Sequence, residues 1–207
     1  MRLRTLLGLL ICSGCAEEKT SAASGAAAEL DRSDPMVELP SPTLRRLTRA
    51  QYHNSVTALL GEGLVLPSHL EPDETTDGLL AIGAALTTIS PRGVEQYETA
   101  AFSLAGQALE NESLRDLLVP CEPSGPVDDV CAEEVFSSFG ERAWRRPLSD
   151  DEATVLVDIS AEAAAVLDDF YGGLSYGLAA VLQSPNFLFR AELGEPDPDT
   201  DGQRFTN

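Results

Sequence analysis

The chain has 207 residues, with 34 Asp and Glu against 14 Lys and Arg and a formal net charge of −20 at pH 7. A field of that sign repels polyanions, which disfavours anionic lipid and argues against nucleic acid as a partner. The length allows one or two small domains behind a leader.

The first 15 residues read MRLRTLLGLLICSGC. Arg2 and Arg4 precede a short apolar run over residues 6–11, and the small residues Ser13 and Gly14 lead to Cys15. A charged start, an apolar core and small residues before the cut are the three parts of an export signal. The run is too short to cross a bilayer, which takes roughly 20 residues. Residues 1–14 are therefore expected to be a lipoprotein-type signal peptide, with Cys15 the lipidated first residue of the mature chain. Acyl groups on its thiol and its new amine supply the two attachments that stable anchoring needs. The expected location is the cell envelope, on the outer membrane of a two-membrane bacterium; the alternative is a secreted or periplasmic protein. Cys12 and Cys15 also spell C-x-x-C, but Cys12 falls inside the leader. Residues 15–42 follow as a linker. SAASGAAAE has no periodic apolar face and suits a flexible tether, stiffened at its end by Pro35, Pro40 and Pro42.

Helix signals begin at residue 48. Thr48 and Gln51 form a capping box, Leu47 can staple onto Tyr52, and Tyr52, Val56, Leu59 and Leu60 line one face before Gly61. Residues 62–89 read as an acidic loop, EPDETTD, and a glycine-broken apolar stretch with at most a short helix. Ser90-Pro91 opens a second helix with Val94, Tyr97, Ala101, Leu104, Ala105 and Ala108 on one side. A short piece is expected near residues 114–118. A third helix carries Val135, Phe136, Phe139 and Ala143 and stops at Pro147. Ser149 and Glu152 cap a fourth, whose expected face is Val155, Leu156, Ile159, Ala163, Val166 and Leu167. A fifth, over residues 170–183, uses Leu174, Leu178, Val181 and Leu182, and Ser184-Pro185 breaks it. Phe187, Phe189, Ala191 and Leu193 then alternate as in an extended segment, with no evident strand partner. The predicted class is mainly α, a compact bundle of about five helices. It is divided into a first helical domain over residues 43–118 and a second over 119–195. Residues 196–207 form an acidic linker and the entry to a further domain.

Cys121 and Cys131 bracket CEPSGPVDDVC. In an oxidising compartment, an isolated pair without nearby His and without C-x-x-C spacing reads as a structural disulfide. Arg142, Trp144, Arg145 and Arg146 form a basic-aromatic cluster that could grip an anionic glycan or a partner acid. The competing reading has Trp144 packed, with the arginines complementing the helix C-terminus and pairing with Asp150 and Asp151. Asp197, Asp199 and Asp201 with Gly202 match the opening of a calcium loop, D-x-D-x-D-G, though Arg204 stands where an apolar residue is usual. His53 and His69, the only histidines, read as surface residues. There is no G-x-S-x-G elbow, phosphate loop or C-x-x-C-H haem motif. No cofactor is expected.

Four strings carry a family resemblance: RRLTRAQYHNSVTALLG (residues 45–61), ISPRGVEQYETAA (89–101), FGERAWRRPLSDDE (139–152) and GLAAVLQSPNFLFRAELGEP (177–196). In this order they resemble the large bacterial envelope proteins built from planctomycete surface domains, a series of domains of unknown function sometimes joined to cytochrome c. The resemblance implies no catalytic residues. It does imply that this chain is the N-terminal part of a longer protein or a truncated reading frame. The expected function is a non-catalytic helical module of an envelope lipoprotein, held to the membrane through lipid on Cys15. It would act in surface assembly or in binding other envelope proteins or glycans. The alternative is the N-terminal part of a cytochrome-associated redox protein or enzyme whose chemistry lies beyond residue 207.

Overall fold

The structure, a computed structural model, describes residues 43–86, 88–192, 195–196 and 203–204. All lie in one compact unit, Glu38–Asn207; the other unit, Met1–Val37, falls outside the described residues, and so does Cys15. Strand β1 (Thr43–Arg46) leads into helix α1 (Arg49–Leu60). The Thr48 hydroxyl accepts from the Gln51 amide at 3.2 Å and the Gln51 side chain accepts from the Thr48 amide at 3.0 Å, which satisfies two otherwise orphaned donors. Tyr52, Val56, Leu59 and Leu60 are buried, and Gly61 ends the helix at φ 102°, a conformation that disfavours any side chain. Next come α2 (Leu80–Leu86), α3 (Pro91–Glu110), with Pro91 in its first turn and Ser90 as cap, and α4 (Glu112–Leu118). The second half holds α5 (Asp129–Trp144), α6 (Asp150–Leu167), α7 (Phe170–Gln183), the single turn α8 (Pro185–Leu188) and strand β2 (Phe189–Glu192). A two-residue ladder joins β3 (Glu195–Pro196) to β4 (Gln203–Arg204). The class is mainly α, with eight helices among the described residues in place of about five.

Four local readings need correction. Val94 is 56% exposed, and the buried side of α3 runs instead from Gly93 through Tyr97 and Ala100. On α6 the buried residues are Leu156, Ser160 and Ala164, while Val155 and Val166 are 55% and 85% exposed. The true face is rotated from the expected one because α7 presents glycines to it, and small residues on both sides let the backbones approach. Cys131 belongs to the first turn of α5, where Asp128 caps the helix by accepting from the Cys131 amide at 3.0 Å. And the segment from Phe189 does have a strand partner: β2 pairs antiparallel with β1, Arg46 opposite Phe189 and Arg45 opposite Arg190.

One core draws on both stretches, 43–118 and 119–195. Tyr52, Leu104, Phe136, Leu174, Leu178 and Phe187 are all shielded from solvent within it. Helix α7 is its axis. A β-carbon on Gly173 would come within 2.5 Å of the Ser160 carbonyl oxygen and 2.6 Å of the Ala164 nitrogen, so α6 and α7 touch backbone to backbone.

A second, polar tie holds β1, α1 and α3 to the acidic loop after Leu70. Arg46, 2% exposed, donates to the Pro72 carbonyl at 2.8 Å and lies 3.4 Å from Glu71 and 3.5 Å from Asp73. Glu71 accepts from the Ser90 amide at 3.1 Å, at the start of α3. Asp73 accepts from the Arg49 amide at 3.1 Å, at the start of α1. The Arg49 guanidinium in turn donates to the Leu70 and Glu71 carbonyls. EPDETTD is thus the anchor of two helix N-termini, where carboxylates are favoured by the helix dipole.

Cys121 and Cys131 are bonded to each other, with Cα atoms 5.7 Å apart. Closing so short a loop is expected to stabilise the fold by about 3 kcal/mol through chain entropy. Urea denaturation of a Cys121→Ser/Cys131→Ser variant should show a loss of that order. A variant as stable as the wild type would show that the bridge contributes nothing.

Candidate functional site

The basic-aromatic cluster sits at the junction of α5, α6 and α8. Trp144 is half-buried and its Nε1 donates to the Val181 carbonyl at 3.2 Å, so the indole is a packed side chain with a satisfied donor. Arg145 ends α5 in the left-handed conformation, φ 60°. Its guanidinium donates to the carbonyls of Phe187 at 3.1 Å and Asn186 at 3.3 Å and lies 6.0 Å over the Phe187 ring. Arg142 crosses to α1 and donates to the Ala58 carbonyl at 2.8 Å. Two of the arginines therefore satisfy carbonyls in the last turn of α1 and in α8, whereas the expectation had them serving their own helix. Arg146 makes a two-pronged pair with Glu152 at 2.7 and 2.8 Å and lies 5.5 Å over the Trp144 ring. The expected partners, Asp150 and Asp151, are not used. Glu152 is the capping-box residue of α6, so its side chain turns back toward Ser149 and meets Arg146 there.

A cleft of about 340 Å³ opens between α1 and α5, lined by Ser55, Ala58, Leu59, Arg142, Ala143, Arg145 and Phe187. Burial pushes the Arg145 guanidinium pKa down, and the neighbouring Arg190 pushes it the same way. Arg190 in turn stands opposite Arg45 on β1. Sequence reasoning found Arg142 and Arg145 but missed Ser55, Ala58 and Leu59 as the opposite wall. The available signal was position: Ser55 falls on the polar flank of the stripe formed by Tyr52, Val56 and Leu59.

A wider groove, about 540 Å³, runs along α3 and includes His69, Arg92, Glu95, Gln96, Thr99 and Ser103. The Gln107 side chain accepts from the Val65 amide at 2.7 Å and donates to its carbonyl at 3.3 Å, which holds the far wall in place. His53 lies outside it, with Nε2 3.1 Å from the Pro67 carbonyl. Among the described residues no three His, Cys, Asp or Glu side chains are grouped to hold a metal ion. Asp197, Asp199 and Asp201 lie outside the described residues. Among the described residues no helix is long and apolar enough to cross a membrane.

Two carboxyls are held well below their usual range. Asp128 is brought to about 2, chiefly by the Ser124 amide at 2.9 Å and the Cys131 amide. Glu152 is brought to about 2, chiefly by Arg146 and then by the Ser149 amide. Burial, and secondarily Tyr97, pushes the Tyr52 hydroxyl up. All three shifts move the group away from neutral pH, opposite to what a general acid or base needs. They also set an acid limit. A carboxyl whose folded pKa is depressed stabilises the fold above its unfolded value, here near 3.8 for Asp128 and 4.5 for Glu152, and that stabilisation is lost as pH falls through about 2. The thermal midpoint followed by circular dichroism should drop between pH 4.5 and 2, and Glu152→Gln should flatten the drop. Identical acid profiles for the two proteins would refute the assignment.

Two family models match. Residues 45–110 match PSD3, a protein of unknown function (DUF1587), and residues 131–192 match PSD5, a protein of unknown function (DUF1595). No curated protein matches the chain. No solved structure matches it either.

Proposed function

This chain carries two planctomycete-type domains of unknown function, PSD3 followed by PSD5, and from that membership we propose that it is a non-catalytic helical module of a cell-envelope lipoprotein, anchored through Cys15 and acting in surface assembly or binding. The observation that carries the binding role is the arginine-lined cleft between α1 and α5. Its basic side chains also tie helices together, so the wall it presents is fixed in advance of any partner. The tryptophan and arginines of that region are used for packing and for satisfying carbonyls, which supports a rigid scaffold over a reactive centre. The anchor is supported by the leader alone: Arg2 and Arg4, the short apolar run, and Ser13-Gly14 before Cys15.

Metabolic labelling with a radiolabelled fatty acid tests the anchor. Wild-type protein should take up label and fractionate with membranes, and Cys15→Ala should do neither. Equal labelling of both, or labelling of neither, would overturn the lipoprotein reading.

A further inference from the structure

We propose that the cleft between α1 and α5 receives a glutamate or aspartate side chain of an acidic peptide, with a neighbouring apolar side chain of that peptide against its floor; this names the partner chemistry of the binding role proposed above and rests on it. Arg142 and Arg145 line one side of the cleft, Ser55 stands opposite, and exposed Ala58 supplies apolar surface between them, backed by the buried Leu59 and Ala143. Arg142 uses one of its five N–H donors on the Ala58 carbonyl. The planar fork that remains has the geometry for a carboxylate. Arg142 and Arg145 place two guanidinium groups on the wall of one cleft in a chain whose net charge is −20. Contrast of that kind favours this cleft as the docking place for an acidic partner.

The chemistry of the walls separates a peptide from other anions. A free phosphate is small against 340 Å³ and has no use for the apolar floor. A uronic-acid glycan would gain from an exposed aromatic platform, but the ring that lines this cleft, Phe187, is fully buried. A leucine beside a glutamate fills both halves of the site.

Fluorescence anisotropy of the purified full chain with the capped, fluorescein-labelled peptide Leu-Glu-Leu-Glu-Leu tests the proposal. Binding should be saturable, weaken as salt rises from about 50 to 300 mM, and be about tenfold weaker for Leu-Gln-Leu-Gln-Leu. Arg142→Gln and Ser55→Glu should each weaken it by about tenfold or more, with unchanged circular dichroism. The first removes a fork and the second places a competing carboxylate inside the cleft. If one variant fails to fold, the other decides. Equal affinity for the Glu and Gln peptides, no loss in a folded variant, or competition by galacturonate or inorganic phosphate as effective as by unlabelled Glu peptide would overturn it. Failure here with intact fatty-acid labelling removes only this site, whereas peptide binding without labelling removes only the anchor.

Discussion

Arg46→Ala is expected to lower stability by about 3–5 kcal/mol, the usual effect of removing one partner from a buried charged network. For a chain of this size that shifts the thermal midpoint by about 6–20 °C. The reason lies in what Arg46 holds. Its guanidinium is 2% exposed, donates to the Pro72 carbonyl, and stands between Glu71 and Asp73, whose carboxylates accept from the amides of Ser90, the cap of α3, and of Arg49, the first residue of α1. Without Arg46 the two acids face each other across a partly dry loop, and both helix starts lose their aim. The exposed pair Arg146–Glu152 provides the contrast. Arg146→Ala should cost less than about 1 kcal/mol despite the shorter 2.7 Å contact, because water screens both groups. Urea denaturation of the two variants side by side is the measurement. Equal small losses would mean that the acidic loop is an ornament and not an anchor.

Gly173→Ala is expected to cost about 3 kcal/mol, although alanine is the better helix former by about 1 kcal/mol. The added methyl would have to enter the space of the Ser160 carbonyl and the Ala164 amide and β-carbon, all within 2.6 Å. Backbone cannot rotate aside as a side chain can, so α6 and α7 must separate along their length. Gly106 in α3 is the internal control: a β-carbon there meets nothing within 4 Å. Gly106→Ala should therefore stabilise by about 0.5–1 kcal/mol. The opposite signs of these two identical substitutions are the diagnostic, read from paired thermal melts. Two losses of similar size would show that the close approach of α6 and α7 is not a constraint.

What could be read in advance follows the range of the interactions. Capping boxes operate over four residues, so Thr48–Gln51 and Ser149–Glu152 were legible as strings, and both are present. The apolar stripe of α1 was equally plain because its other faces are polar. Helix α6 offers apolar residues on several sides, and the choice among them is made by Gly173 and Gly177 on α7, which periodicity within α6 cannot reveal. Strand β1 is four residues long and looks like the preamble to α1; only its pairing with β2 makes it a strand. The cleft shows the same division. Arg142 and Arg145 were visible as a basic cluster, while their opposite wall comes from α1, far away in sequence. The acidic loop reads as no more than a loop because its partner, Arg46, lies inside a run of basic residues whose burial nothing local announces.

The β1–β2 ladder also governs the order in which the body can be completed. The Leu47 amide finds its acceptor at the Leu188 carbonyl, 2.8 Å away, so the earliest segment of the folded unit waits for about 140 further residues before its backbone is satisfied, a high-contact-order closure that slows folding. During synthesis from the N-terminus, α1 and α3 can form and meet, but β1 remains an open edge until β2 emerges. Open edges in slow intermediates are where chains misassociate. Chains cut short before Phe189 should therefore aggregate rather than fold as a smaller PSD3 unit, which makes the two matched stretches one kinetic unit.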